Sequence, residues 1–273
     1  QCPGEQDAYY ASMSLGVWEP LITKDESGKP APALATEWEH NEDSTVWTFH
    51  LREGVTFSNG TPFNADSVLA NFDRMKKGPF ESSFYGMNID TIYPGLVSYE
   101  KTDDYTVVLT LSEGQPLLDY TMVNYGSAIF EPSCFAEDGT FAGFPIGTGP
   151  YMLKDWTQGS SLTLEANPYY RVEGMPKTKE IKYVLIADDN TRLMQLQSGQ
   201  IDVAPTFPFS LAQGVESNEA LALDIFPSTQ IYYLTVNTTK PPFDDVKVRQ
   251  ALYYALNKSE LASAIAGEYG TPV

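Results

Sequence analysis

The chain has 273 residues, enough for one large domain or two smaller ones with well-buried cores. Hydrophobic residues make up 42% and aromatic residues 13%, which excludes wholesale disorder. A formal charge of −19, with lysines and arginines scattered and Lys76-Lys77 the longest basic run, excludes ready binding to nucleic acid or an anionic membrane surface.

Residues 8–15 carry small and aromatic side chains suited to a short helix, and an apolar stretch from Val17 to Ile22 runs into a turn at Asp25 to Gly28. The next stretch is a predicted hairpin. Trp38 and its neighbours lead to a polar cluster, Asn41-Glu42-Asp43-Ser44, and beyond it Trp47, Phe49 and Leu51 alternate with Thr48, His50 and Arg52, as a strand with one buried face requires. A short run, Val55 to Phe57, and the turn signal Ser58-Asn59-Gly60 precede a helix that Asn64 or Asp66 can cap. Ala65, Val68, Leu69, Phe72 and Met75 fall on one face of it.

Residues 78–95 are rich in Gly, Pro, Ser and rings without a clear period, which predicts a surface loop. A second hairpin is predicted over Ser98 to Leu111 with its turn at Asp103-Asp104, then a short helix containing Leu117, Leu118, Met122 and Val123. Residues 141–151 are Gly and Pro rich, but neither the lysine nor the spacing of a phosphate loop follows Gly147-Thr148-Gly149. Tyr151 to Trp156 and Ser160 to Ala166 predict a hairpin about Gln158-Gly159. Ile181 to Ile186, a helix capped by Asp189 and ended by Gly199, and Ile201-Asp202-Val203 predict a strand, helix, strand unit. Ile231 to Val236 predicts a further strand, Asp245 to Leu256 a helix, and Asn257 with Glu260 a capping box opening a helix over Lys258 to Ala266.

No window approaches the roughly 18 apolar residues that cross a bilayer, and no basic and apolar leader opens the chain, so a mature or trimmed soluble piece is expected, while the acidity reads as solubility outside the cytoplasm. Cys2 and Cys134 are too few for a disulfide scaffold. They can pair, Cys2 can be the relic of a lipid anchor, or Cys134 can be a free buried thiol, the reading preferred here.

Four stretches carry a family likeness in order: Val17-Trp18-Glu19-Pro20-Leu21; the run from Trp47 through Phe57-Ser58-Asn59-Gly60-Thr61-Pro62-Phe63; Pro145-Ile146-Gly147-Thr148-Gly149-Pro150-Tyr151; and Pro242-Phe243-Asp244-Asp245-Val246 through Leu252. Together they resemble the peptide and nickel binding family of solute-binding proteins that serve ABC importers. The resemblance implies an α/β fold: a lobe like that of type II periplasmic binding proteins with a mixed sheet, plus an inserted α+β subdomain. It places 1–31 and 149–231 in the first lobe, 32–148 in the inserted subdomain, and 232–273 at the start of a second lobe that is largely absent. The implied function is capture of a small solute, a peptide first and a nickel complex second, by a monomer that delivers it to a membrane ABC permease.

The same resemblance puts Tyr9, Tyr10 and Met13 at the edge of a ligand cleft, with Trp18 and Glu19 after them; for the first three, core packing stands as the alternative. It adds Phe84 and Tyr85, in the loop where nickel-binding relatives carry an aromatic contact, and Asn124 and Tyr125, where some of those relatives place an arginine for a chelator's carboxylates. The missing arginine speaks against a chelate held in that manner. No cofactor, resident metal or catalytic residue is expected.

The class rival is a secreted hydrolase built on a carboxylate pair. His40 and His50, the only histidines, fall opposite Trp47 and Glu37 in the predicted hairpin and do not meet. No G-x-S-x-G or H-E-x-x-H occurs, and Glu42-Asp43, Asp103-Asp104, Asp188-Asp189 and Asp244-Asp245 each sit at a turn or cap signal. A third possibility is that this piece binds nothing by itself.

Overall fold

The computed structural model describes residues 16–77, 89–123, 127–205, 208–225 and 232–272. In chain order its elements are β1 (Glu19–Pro20), β2 (Ile22–Lys24), β3 (Pro30–Pro32), β4 (Ala35–His40), β5 (Val46–Leu51), α1 (Ala65–Lys77), α2 (Ile89–Ile92), β6 (Leu96–Asp103), β7 (Thr106–Leu111), α3 (Leu118–Met122), β8 (Ala128–Ile129), β9 (Tyr151–Thr157), β10 (Ser161–Ala166), β11 (Glu180–Val184), α4 (Asp189–Gln197), α5 (Phe209–Glu216), α6 (Val246–Ala255) and α7 (Lys258–Ala266). They form two compact units, one ending at Leu185 and the other starting at Ile186.

The first unit is organised on an antiparallel sheet of order β4-β5-β7-β6. The predicted hairpin register is the one observed, with His40 opposite Trp47 and Glu37 opposite His50. Along β5 the alternation sends Trp47, Phe49 and Leu51 inward, and Val107, Leu109 and Leu111 of β7 join them. Helix α1 covers that face. Asn64 caps it, its carboxamide oxygen accepting from the Ser67 N–H at 3.2 Å, and Val68, Phe72 and Met75 complete the core. Each large side chain so buried contributes about 1.5–3 kcal/mol. The helix is buried more widely than its apolar stripe, because Ser67, Asn71 and Arg74 are also enclosed.

A smaller core gathers Val17, Trp18, Ala128, Phe130, Cys134, Phe141 and Leu164. It lies under the two-stranded pair β1-β8 and the antiparallel sheet β11-β10-β9. Gly159, with φ +73°, makes the tight turn between β9 and β10 where the Gln158-Gly159 signal falls. Cys134 is a free buried thiol; burial pushes its pKa up.

Two predicted strands are not formed. Among the described residues 201–203 and 232–236 carry no strand and belong to no sheet, so no ladder forms there; Ile201 N–H is instead bonded to Gln195 O behind α4. The strand, helix, strand unit is therefore not seen: β11 pairs antiparallel with β10 and leads into α4. The cap of α4 is Asp188, one residue before the predicted Asp189, which pairs instead with Arg192 at 2.5 Å. The second unit otherwise consists of α4 to α7, of which α6 and α7 follow the predicted spans, and Asn257 caps α7 by accepting from the Glu260 N–H. Among the described residues no helix is long and apolar enough to cross a membrane.

Candidate functional site

The Gly147-Thr148-Gly149 segment lies against residues 16–18 so closely that only glycine fits. A Cβ at Gly147 would run into the carbonyl oxygen of Val17, and one at Gly149 into that of Gly16. The two backbones are bonded there, Gly149 N–H to Val17 O and Tyr151 N–H to Gly16 O, both at 3.0 Å. Gly147 O accepts from Ser58 N–H at 3.0 Å, which ties in the turn of the Ser-Asn-Gly signal. The Gly and Pro content here thus reflects close backbone approach.

Trp18 and Glu19 are the two predicted ligand residues that fall within the described chain. Trp18 is 2% exposed; its indole N–H donates to Pro145 O at 2.9 Å and its ring packs on Phe130 and Phe144, with centroids 5.5 and 5.4 Å away. Glu19 is engaged on both carboxylate oxygens. One guanidinium nitrogen of Arg171 donates at 2.7 and 2.5 Å, and the Thr148 hydroxyl donates at 2.9 Å.

Asn167 brings Arg171 there. This buried side chain donates to Gly149 O at 2.8 Å and accepts from Tyr169 N–H at 2.9 Å, so the Asn-Pro-Tyr-Tyr-Arg run turns back over the glycines. Tyr170, next in line, has its pKa raised, first by burial and then by the negative charge of Glu19, with Arg171 opposing.

Glu19 and Pro20 pair with Ile129 and Ala128. One residue on, Asn71 of α1 holds both backbone groups of Phe130, donating to its C=O at 2.8 Å and accepting from its N–H at 3.1 Å. Arg74, one helical turn later, is buried among three rings, 5.5 Å from Phe130, 5.4 Å from Phe135 and 4.7 Å from Phe141, and donates to Gly139 O. Elements β1, β8 and α1 are thereby fastened to one another.

Tyr9, Tyr10, Met13, Phe84, Tyr85, Asn124 and Tyr125 lie outside the described residues. Sequence reasoning missed Asn71, Thr148, Asn167 and Arg171. Glu19 and Arg171 are 152 positions apart, so no spacing links them; the turn signal at Asn167-Pro168 was the only available clue.

The groups considered for hydrolysis serve turns. Asp43 accepts from the N–H and hydroxyl of Thr45, Asp103 from Tyr105 N–H, and Asp188 from the N–H and hydroxyl of Thr191. These bonds hold all three carboxyls below their ordinary range, opposite to what a general acid at neutral pH requires. His50 Nε2 lies 4.0 Å from Glu39, and the His40 ring packs on Trp47. Among the described residues no group of three or more His, Cys, Asp and Glu is gathered as a metal site.

Residues 29–273 match the family model of bacterial extracellular solute-binding proteins, family 5, middle part. The glutathione-binding protein GsiB of Escherichia coli strain K12 is 32% identical over 267 residues, which cover 97% of this chain and 51% of that protein. In structure, the chain is similar to NikA from Brucella suis in complex with Fe(III)-EDTA, with a TM-score of 0.77 and 26% identity over 97% of this chain and 53% of that one. HbpA2 from Haemophilus parasuis gives 0.78 and 28% over 96% and 55%. These neighbours share the type II periplasmic-binding-protein fold, and the chain spans about half the length of the relatives it matches. By the match over 29–273, the chain belongs to the bacterial extracellular solute-binding proteins of family 5.

Proposed function

We propose that this chain belongs to the substrate-binding component of an ABC importer, acting outside the cytoplasm as a monomer that captures a small solute and hands it to a membrane permease. The observation that carries the reading is the family match over 29–273, supported by a candidate site whose polar groups are occupied in holding segments together. In this reading Tyr9, Tyr10, Met13, Phe84, Tyr85, Asn124 and Tyr125 supply contact area and orientation, while Trp18 and Glu19 frame them. Residues 1–31 and 149–231 form the first lobe, 32–148 the inserted subdomain, and 232–273 the start of the second lobe. Catalysis has no part in it.

The cargo is a peptide. A relative 32% identical is named as a glutathione-binding protein, and glutathione is a small peptide. A metal chelate is the second reading, favoured by the likeness to a NikA bound to Fe(III)-EDTA. Calorimetry on the full-length protein with glutathione, a set of dipeptides and a nickel-histidine complex tests both. Saturable one-to-one binding of a peptide is the expected result, and binding of the nickel complex alone transfers the assignment to the second reading. Steady turnover of a peptide or oligosaccharide substrate, lost on mutating one carboxylate pair, overturns it.

A further inference from the structure

The ion pair between Glu19 and Arg171 joins parts of the chain that no secondary-structure element joins. Its side chains are 14% and 23% exposed, with the carboxylate in β1, the guanidinium beyond the Asn167 turn, and the Thr148 hydroxyl between the two close-packed glycines completing the set. Each oxygen of Glu19 is matched, so a partly buried negative charge is neutralised in place. Strand β1 is only two residues long; its sheet partner is the equally short β8, and beyond that ladder Pro20 O accepts from Leu34 N–H at 3.2 Å. Two residues of ladder do not fix a register by themselves, since strand pairs draw their stability from longer runs and cross-strand packing.

We propose that Glu19, Thr148 and Arg171 form a clasp that sets the register of β1 on β8, and that Arg171 is a positioning residue. It acts on the placement of β1 through Glu19. This proposal rests on the binding-protein reading only for its purpose; the clasp itself stands on the geometry. Three backbones converge on it, residues 16–20, 128–131 and 147–151, and all three carry bonds that depend on its alignment: Gly149 N–H to Val17 O, Tyr151 N–H to Gly16 O, and Glu131 N–H to Ile146 O at 2.9 Å. Loss of the guanidinium leaves the carboxylate among groups that cannot neutralise it, and the carboxylate then turns toward water and draws β1 with it.

Amide hydrogen exchange on the full chain tests this. Arg171→Met is expected to raise exchange at least tenfold at 16–20, 128–131 and 147–151 while leaving β5 and β7 unchanged. Arg171→Lys, which keeps the positive charge on a shorter reach, should recover part of the protection. The double variant Glu19→Gln with Arg171→Met, which removes the unpaired charge, should recover more than Arg171→Met alone. Uniform loss of protection across β5 and β7, or no change at the three segments, overturns the clasp, as does a double variant no better protected than Arg171→Met. Because no ligand enters this measurement, its failure leaves the binding reading untouched, and failure of calorimetry to find a ligand leaves the clasp untouched.

Discussion

The unit ending at Leu185 and the unit starting at Ile186 use similar residues to opposite effect. In the first, Trp47, Phe49, Phe57, Phe63, Phe72 and Tyr93 are fully enclosed. In the second, Tyr232, Tyr233, Tyr253 and Tyr254 are exposed, and α4 and α6 bury no residue. Its helices stand on local chemistry: Asp188 accepts from Thr191 N–H at 2.7 Å, Asp245 from Lys247 N–H at 2.8 Å, and Asn257 from Glu260 N–H at 3.3 Å. A helix satisfies its backbone within its own segment, so caps and propensity can write one with little burial. A strand requires a neighbour, and that is why 201–203 and 232–236, with suitable side chains, have not become strands.

The sharpest way to break this contrast is to truncate one ring in each unit. Phe72→Ala should cost about 3–5 kcal/mol, because the ring is 1% exposed and lies between Tyr93 and Tyr99, whereas Tyr254→Ala, at 85% exposure, should change stability by no more than about 0.5 kcal/mol. Urea unfolding of both variants checks it, and equal effects would show that the contrast is false. Next in size is Arg74→Met, which strips the cation from among Phe130, Phe135 and Phe141 and should cost about 2 kcal/mol or more. The same melts measure it, and Arg74→Lys should recover less than half because it lacks the planar fork.

Smaller effects probe the second unit's dependence on caps. Asn257→Ala should cost about 1 kcal/mol and reduce protection of the amides at the start of α7 in hydrogen exchange. The smallest is a pH effect at Asp188. Hydrogen bonds from the Thr191 hydroxyl and N–H hold its carboxyl below the ordinary 3.8, so the folded state binds its proton more weakly than the unfolded chain. Its contribution is therefore full above pH 3.8 and is lost as pH falls through the lower folded value. Exchange at the α4 amides should rise across that acidic window in the parent chain and change less in Asp188→Asn; identical profiles would remove the cap from the account.

Reading the sequence located the β4-β5 and β6-β7 hairpins, α1, the Gly159 turn and α7 because each is announced within a few residues of itself. It shifted one cap, Asp188 for Asp189, because adjacent aspartates offer the same chemistry and only backbone angles choose between them. It marked Trp18 and Glu19 but not what holds them. Arg171 looked like any other basic residue after a turn, and Arg74 like the polar side of an amphipathic helix, until packing placed one on a carboxylate and the other among rings.

The sequence by itself determined the periods and turns of this protein, its caps to within a residue, and through four strings in order its family, since these are properties of near neighbours along the chain. Only the tertiary structure decided that Glu19 meets Arg171 across 152 positions, that Gly147 and Gly149 press against residues 16–18, and that two apolar runs stay unpaired. The physical reason is that a helix or a turn closes its hydrogen bonds locally, whereas an ion pair, a close backbone approach or a strand ladder exists only when distant segments arrive together.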